Sequence, residues 1–135
     1  MVPLFVQIDL SFNDIGGYED EDGVMIYAPE GPGAIANALR VSASLMSINL
    51  RANEIGSDGA KAIAEAIAVS ASLTSIDLGY NSVGKEMALQ LVEIFKEKQM
   101  VSVGLANCNL GVDGAQAVAE YISVSASLTQ VLVLL

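Results

Sequence analysis

The chain has 135 residues and a mass of 14.0 kDa, which is room for one domain. Its 16 acidic residues against 6 basic ones, with no histidine, give a net charge of −10, which disfavours nucleic acid and anionic membrane surfaces and suits a protein partner with a basic patch. Apolar residues make up 53% and aromatic ones 5%, so the core is built from Leu, Ile, Val and Ala, and disorder is excluded as the main state. A single cysteine forms no intramolecular disulfide, and without histidine the usual zinc frameworks and the Ser-His-Asp triad are gone. No cofactor site is expected.

The opening stretch MVPLFVQIDL has no basic leader and meets Gln7 and Asp9 too early for a signal peptide, and no 18-residue apolar run follows. The expectation is a soluble, cytoplasmic protein. The same stretch opens a template, apolar-x-x-apolar-x-apolar-x-x-Asn/Cys-x-apolar, filled by Phe5, Ile8, Leu10, Asn13 and Ile15. It returns as Leu45, Ile48, Leu50, Asn53 and Ile55, as Leu73, Ile76, Leu78, Asn81 and Val83, and as Met100, Val103, Leu105, Cys108 and Leu110. A fifth copy starts with Leu128, Val131 and Val133 and stops before its asparagine position. The spacings are 40, 28, 27 and 28 residues.

Each unit reads as strand, turn and helix. In SINL and SIDL the apolar residues alternate with Ser47, Asn49 and Arg51 and their equivalents, a strand with one buried face. Asn53 falls in the turn, where its amide can satisfy backbone groups leaving the ladder and stack with its equivalents into a spine. Asp58 and Asp113 read as helix caps, and Ala60, Ile63, Ala64 and Ile67 form one apolar stripe. Strands stack about 4.8 Å apart and helices about 8–10 Å apart, so parallel stacking forces an arc with the sheet inside.

This pattern resembles the leucine-rich repeat family over nearly the whole chain. The 28-residue unit with its helical half (DGAKAIAEAI, DGAQAVAEYI) is most similar to the ribonuclease-inhibitor-like subclass. The resemblance implies an α/β solenoid, a short horseshoe arc with a parallel sheet on the concave side and helices on the convex side. The expected organisation is one domain, residues 1–135, of about four and a half repeats.

Two places break the pattern. The first unit carries a surplus at about residues 17–28, GYEDEDGVMIYA. This acidic run fails the calcium-loop spacing, because with Gly23 at the sixth place the first ligand position is Tyr18 and the twelfth is Pro29. It reads as a loop excursion ordered by Val24, Ile26 and Tyr27, with a recognition loop as the functional alternative. The second break is at the ends. LTQVLVLL is a strand apolar on both faces, with no polar terminal repeat beside it, so the chain is either a fragment of a longer array or a self-associating subunit. The expected edge is Leu128, Val131, Leu132, Val133, Leu134 and Leu135, giving a homo-oligomer or a larger assembly.

Gly79 to Glu86, GYNSVGKE, matches GxxxxGK, but Glu86 stands where a phosphate loop has Ser or Thr, and the repeat accounts for Asn81, Gly84 and Glu86 without nucleotide. Cys108 reads as a buried spacer, and Lys96, Glu97 and Lys98 as a solvated helix end where the third unit is one residue short. The concave face remains. There Asp9, Asn49, Arg51 and Asp77 on strands, with Phe12 and Tyr80 just beyond, form the expected partner surface. The functional expectation is a non-enzymatic protein-protein interaction scaffold. The alternatives are a regulatory fragment similar to Ran GTPase-activating proteins, with only Arg40 and Arg51 as arginine donors, a fragment similar to NOD-like receptors, or a structural subunit.

Overall fold

The structure, a computed structural model, describes residues 5–132. Five strands, β1 (Val6–Asp9), β4 (Leu45–Asn49), β5 (Ser75–Asp77), β6 (Ser102–Gly104) and β7 (Gln130–Leu132), form one parallel sheet in chain order. Helices α1 (Glu30–Val41), α2 (Gly56–Val69), α3 (Lys85–Lys98) and α4 (Gly111–Val124) connect them. The register follows the repeat: Ile8, Ile48, Ile76, Val103 and Val131 lie side by side. Between sheet and helices lies the core, where Leu50, Leu78, Ile63, Ile67, Leu91 and Phe95 are fully buried. Each contributes about 1.5–3 kcal/mol of burial energy.

The turn asparagines form the expected spine. Asn53 accepts from the Asn13 backbone N–H at 2.8 Å through Oδ1 and donates through Nδ2 to the Leu10 and Leu50 carbonyls at 2.8 and 3.0 Å. Asn81 repeats this one unit on, accepting from the Asn53 N–H at 2.8 Å and donating to the Leu50 and Leu78 carbonyls at 2.8 and 3.1 Å. Residues flanking each rung are held at positive φ, among them Phe12 (60°), Ala52 (56°), Tyr80 (57°) and Asn107 (54°). A spine this dense fixes the turn even where the side chain disfavours a left-handed backbone.

Asp58 and Asp113 do not cap their helices. α2 and α4 start two residues earlier, at Gly56 and Gly111, and no side-chain hydrogen bond caps either. A glycine at φ 71° or 62° turns the chain into the helix and removes the need for a capping side chain. The two aspartates sit in the first turn, where the helix dipole favours negative charge.

Helix exits share the segment Val-Ser-Ala-Ser-Leu at 41–45, 69–73 and 124–128. The first serine ends the helix, and its Oγ accepts from the leucine N–H three residues on, as in Ser42 to Leu45 at 3.0 Å. The second serine stitches units together: Ser72 donates to the Leu45 carbonyl at 2.6 Å and Ser127 to the Met100 carbonyl at 2.9 Å. The third unit lacks this segment and turns instead through Gln99 at φ 54°. Lys98 there donates its ammonium to the Ser70 carbonyl at the end of α2.

The surplus in the first unit is not a loop. It is an antiparallel hairpin of β2 (Gly17–Glu19) and β3 (Met25–Tyr27). The Asp20 carboxylate makes its turn, accepting from the backbone N–H groups of Asp22 and Val24 at 2.9 and 2.8 Å, with Gly23 at φ 78°. Among the described residues no helix is long and apolar enough to cross a membrane.

Candidate functional site

The strands expose their polar side chains on the face away from the helices. Gln7, Ser47, Ser75, Ser102 and Gln130 line up in one column, and Asp9, Asn49, Asp77 and Gly104 in the next. Together they floor a trough of about 440 Å³. The place of Gln130 follows from the repeat spacing once the fifth unit is counted, although sequence reasoning had not singled it out.

The second column serves the fold as well as the surface. Asp9, Asn49 and Asp77 each turn Oδ1 back to accept the N–H two residues on, at Ser11, Arg51 and Gly79, within 2.9–3.0 Å. Ser11 also donates its hydroxyl to Asp9 at 2.6 Å, and these two bonds hold the Asp9 carboxyl below its ordinary pKa. Gly104 leaves the space that Asp77 occupies, since a Cβ there would lie 2.4 Å from Asp77 Oδ1.

Three of the expected site residues come together at one rim of the trough. Arg51 Nη1 lies 3.6 Å from Asp77 Oδ2, and the guanidinium carbon sits 4.6 Å from the centroid of the Tyr80 ring. Both partners of the ion pair are about three-quarters covered. An ion pair of this kind is worth about 0–1 kcal/mol and the cation-π contact about 0.5–2 kcal/mol. Their chief effect is therefore to bias the arginine toward this arrangement. Phe12 stands two units away from Tyr80, with Ala52 at the equivalent place between them, and its ring is 75% exposed.

Other residues considered from sequence serve the fold. Cys108 is buried, donates to the Ala106 carbonyl at 3.5 Å, and burial, with the charge of Asp77 adding to it, pushes its pKa up to about 11. Lys85, of the GxxxxGK match, places Nζ 2.9 Å from Asp113 on α4. Lys96 is not a solvated helix end: its side chain is 16% exposed and bridges Glu93 and Glu120 at 3.3 Å each. Burial works to lower its pKa, but the two carboxylates outweigh it and raise the pKa. Among the described residues no group of three Asp, Glu, Cys or His side chains could hold a metal ion.

On the expected edge, Leu128 and Val131 are partly buried against the core, and the backbone of Leu132 belongs to β7, the last strand of the sheet. Val133, Leu134 and Leu135 lie outside the described residues.

The repeat, its asparagine spine and the parallel sheet backed by helices give this chain a leucine-rich repeat fold. The Leucine Rich repeat family is matched over residues 41–64, the stretch from the end of α1 through β4 into α2. Among solved structures, the C-terminal domain of tropomodulin from Caenorhabditis elegans is similar, with a TM-score of 0.78 and 17% identity over 98% of this chain and 75% of that one. At that identity the likeness is one of fold. No curated protein sequence matches the chain.

Proposed function

We propose that the chain is a non-enzymatic, cytoplasmic interaction scaffold, a single repeat domain that binds a protein partner through its concave trough and the adjoining rim. The observation that carries this reading is the Arg51, Asp77 and Tyr80 cluster, an arginine paired with an aspartate and set against a tyrosine ring at the edge of a polar trough. Arginine and tyrosine are the side chains most often found to dominate interfaces, and a side chain already biased toward one arrangement loses less freedom on binding. The net charge of −10 favours a partner that presents a basic patch. Asp9, Asn49 and Phe12 extend the surface toward the first unit. Substituting Arg51→Ala and Tyr80→Ala together should weaken capture of protein partners by about 10–100-fold with the melting temperature nearly unchanged. Isothermal titration with each isolated partner checks this, and undiminished affinity for all of them would remove the cluster from the interface.

A second reading, self-association through the edge from Leu128 to Leu135, is favoured by the open strand β7 with apolar Leu128 and Val131 only partly covered.

A further inference from the structure

The hairpin leans over the start of α2 and leaves a cleft there. One edge of the Tyr27 ring seats against the bare backbone of Gly56, where an added Cβ would lie 2.8 Å from Tyr27 Cε1, yet the tyrosine stays 54% exposed. Between the ring and the first turn of α2 lies a space of about 280 Å³, lined also by Pro29, Ser57, Asp58 and Ser82. A water occupies about 30 Å³ of liquid, so a long side chain has room. The cleft shares no lining residue with the concave trough.

Its walls offer an aromatic ring and a carboxylate, and the chain shows at two other places what such groups hold. At the trough, the Arg51 guanidinium carbon sits 4.6 Å from the Tyr80 centroid, with Nη1 3.6 Å from Asp77 Oδ2. At the start of α4, Asp113, the equivalent of Asp58, has Lys85 Nζ at 2.9 Å. In the unit before α2 the residue equivalent to Lys85 is Pro29, which brings no charge. Asp58 is exposed and makes no ion pair among the described residues, even with Lys61 one turn along α2. The surroundings carry one sign of charge. Residues 5–39 contain no lysine or arginine, and Glu19, Glu21 and Asp22 stand exposed on the hairpin, outside any ion pair among the described residues. Along the strands they begin about 7–10 Å from Tyr27, within the Debye length of about 10 Å at 0.1 M salt. The positive end of the α2 dipole opposes a cation, but Lys85 lies at the starts of both α3 and α4 and still meets Asp113.

We propose that this cleft receives a lysine or arginine side chain of a partner protein, its cationic head lying between the Tyr27 ring and the Asp58 carboxylate. The partner surface is a basic segment, drawn in by the acidic hairpin and anchored by the one inserted side chain. The ring wall keeps water from one side of the pair, which strengthens both contacts. This is a docking surface additional to the concave one, and it gives the hairpin a role that the stack does not require of it. Neither β2 nor β3 joins the five-stranded sheet.

Titration of the isotope-labelled 135-residue chain with triarginine amide at low salt, followed through backbone amide shifts, tests this, with tricitrulline amide as the neutral isostere. Triarginine should shift the amides of Tyr27 and residues 56–59 saturably, and tricitrulline should not. Asp58→Asn and Tyr27→Leu should each weaken the affinity about 3–10-fold. Pro29→Lys, which supplies the lysine that the third unit carries, should weaken it at least as much. Glu97→Gln, the same change of charge on an exposed residue of α3, should leave it within about 2-fold. Circular dichroism verifies the fold of each variant, and if Tyr27→Leu opens the hairpin, Asp58→Asn still decides. Equal binding of tricitrulline, an Asp58→Asn effect no larger than that of Glu97→Gln, or no saturable shift up to ~10 mM peptide would each overturn the proposal. Shifts confined to Ser47, Ser75 and Asp77 would place the basic segment in the trough, so that the scaffold reading stands and the cleft falls.

Discussion

Cys108 occupies the rung that asparagine fills at positions 53 and 81, and the exchange alters the chemistry of the spine at one point. Its thiol is buried and keeps its proton up to a pH of about 11, against an ordinary value of 9.0. The unfolded chain gives up that proton first, so the contribution is intact below about pH 9 and is lost as the pH rises through about 11. Tyr121, buried with its hydroxyl unpartnered among the described residues, has its pKa raised by the same burial and acts in the same direction. Unfolding free energies should therefore decline across this alkaline window by roughly 2–3 kcal/mol from the thiol, and Cys108→Ala should flatten the decline. Urea titrations at successive pH values measure it, and an equal slope in both proteins would assign the alkaline loss elsewhere. The rung itself was legible from the repeat position of Cys108. Lys96 and Lys98 were not, because what they meet, Glu120 and the Ser70 carbonyl, lies one repeat away and depends on how the short third unit turns.

At the scale of elements the hairpin is an addition to the solenoid rather than part of its stack. It is tied in by a few contacts: Gly16 donates to the Asn53 carbonyl at 2.8 Å, Ala28 donates to the Gly16 carbonyl at 2.8 Å, and the Tyr27 ring lies over Gly56. Gly17 permits the pairing, since a Cβ there would stand 2.3 Å from the Ile26 carbonyl oxygen. Gly17→Ala should therefore open the hairpin while leaving the repeats folded. The expected result is faster proteolysis within residues 18–26 with a stability loss of no more than about 1–2 kcal/mol. If thermal melting followed by circular dichroism fell by much more, the hairpin would be integral to the first unit. The surplus length was legible in sequence, but the pairing was not. Its strands are three residues each, too short for an alternation signal, and a single aspartate side chain builds the turn. The helix starts were misread for a related reason. An acidic residue before an apolar stripe looks like a cap, yet the repeat turns into its helices through a positive-φ glycine two residues earlier.

Over the whole molecule, order should be graded from the middle outward. The repeat spacing made the stack legible, because each unit buries its apolar face only against its neighbours. The trough followed from strand alternation, whereas the closing of Arg51 on Asp77 and Tyr80 depended on side-chain conformations that spacing does not specify. In such a stack an interior unit is stabilised from two sides and an end unit from one. The backbone N–H groups of Leu50 and Leu78 bond to the next strand at 2.9 Å from residues that are completely buried. Leu10 makes the same bond at 2.9 Å from a half-buried position just past the first strand, and Thr129 donates to the Val101 carbonyl at 2.7 Å from an exposed one. Similar hydrogen bonds in unequal surroundings separate local opening from bond length as the cause of exchange. In dilute solution the Leu10 and Thr129 amides should exchange about 10–1,000-fold faster than those of Leu50 and Leu78, because an end unit opens without disturbing the centre. Hydrogen exchange followed residue by residue decides the point. Equal rates at all four amides would mean that the stack opens only as one cooperative unit, and that the end repeats are as firmly held as the middle.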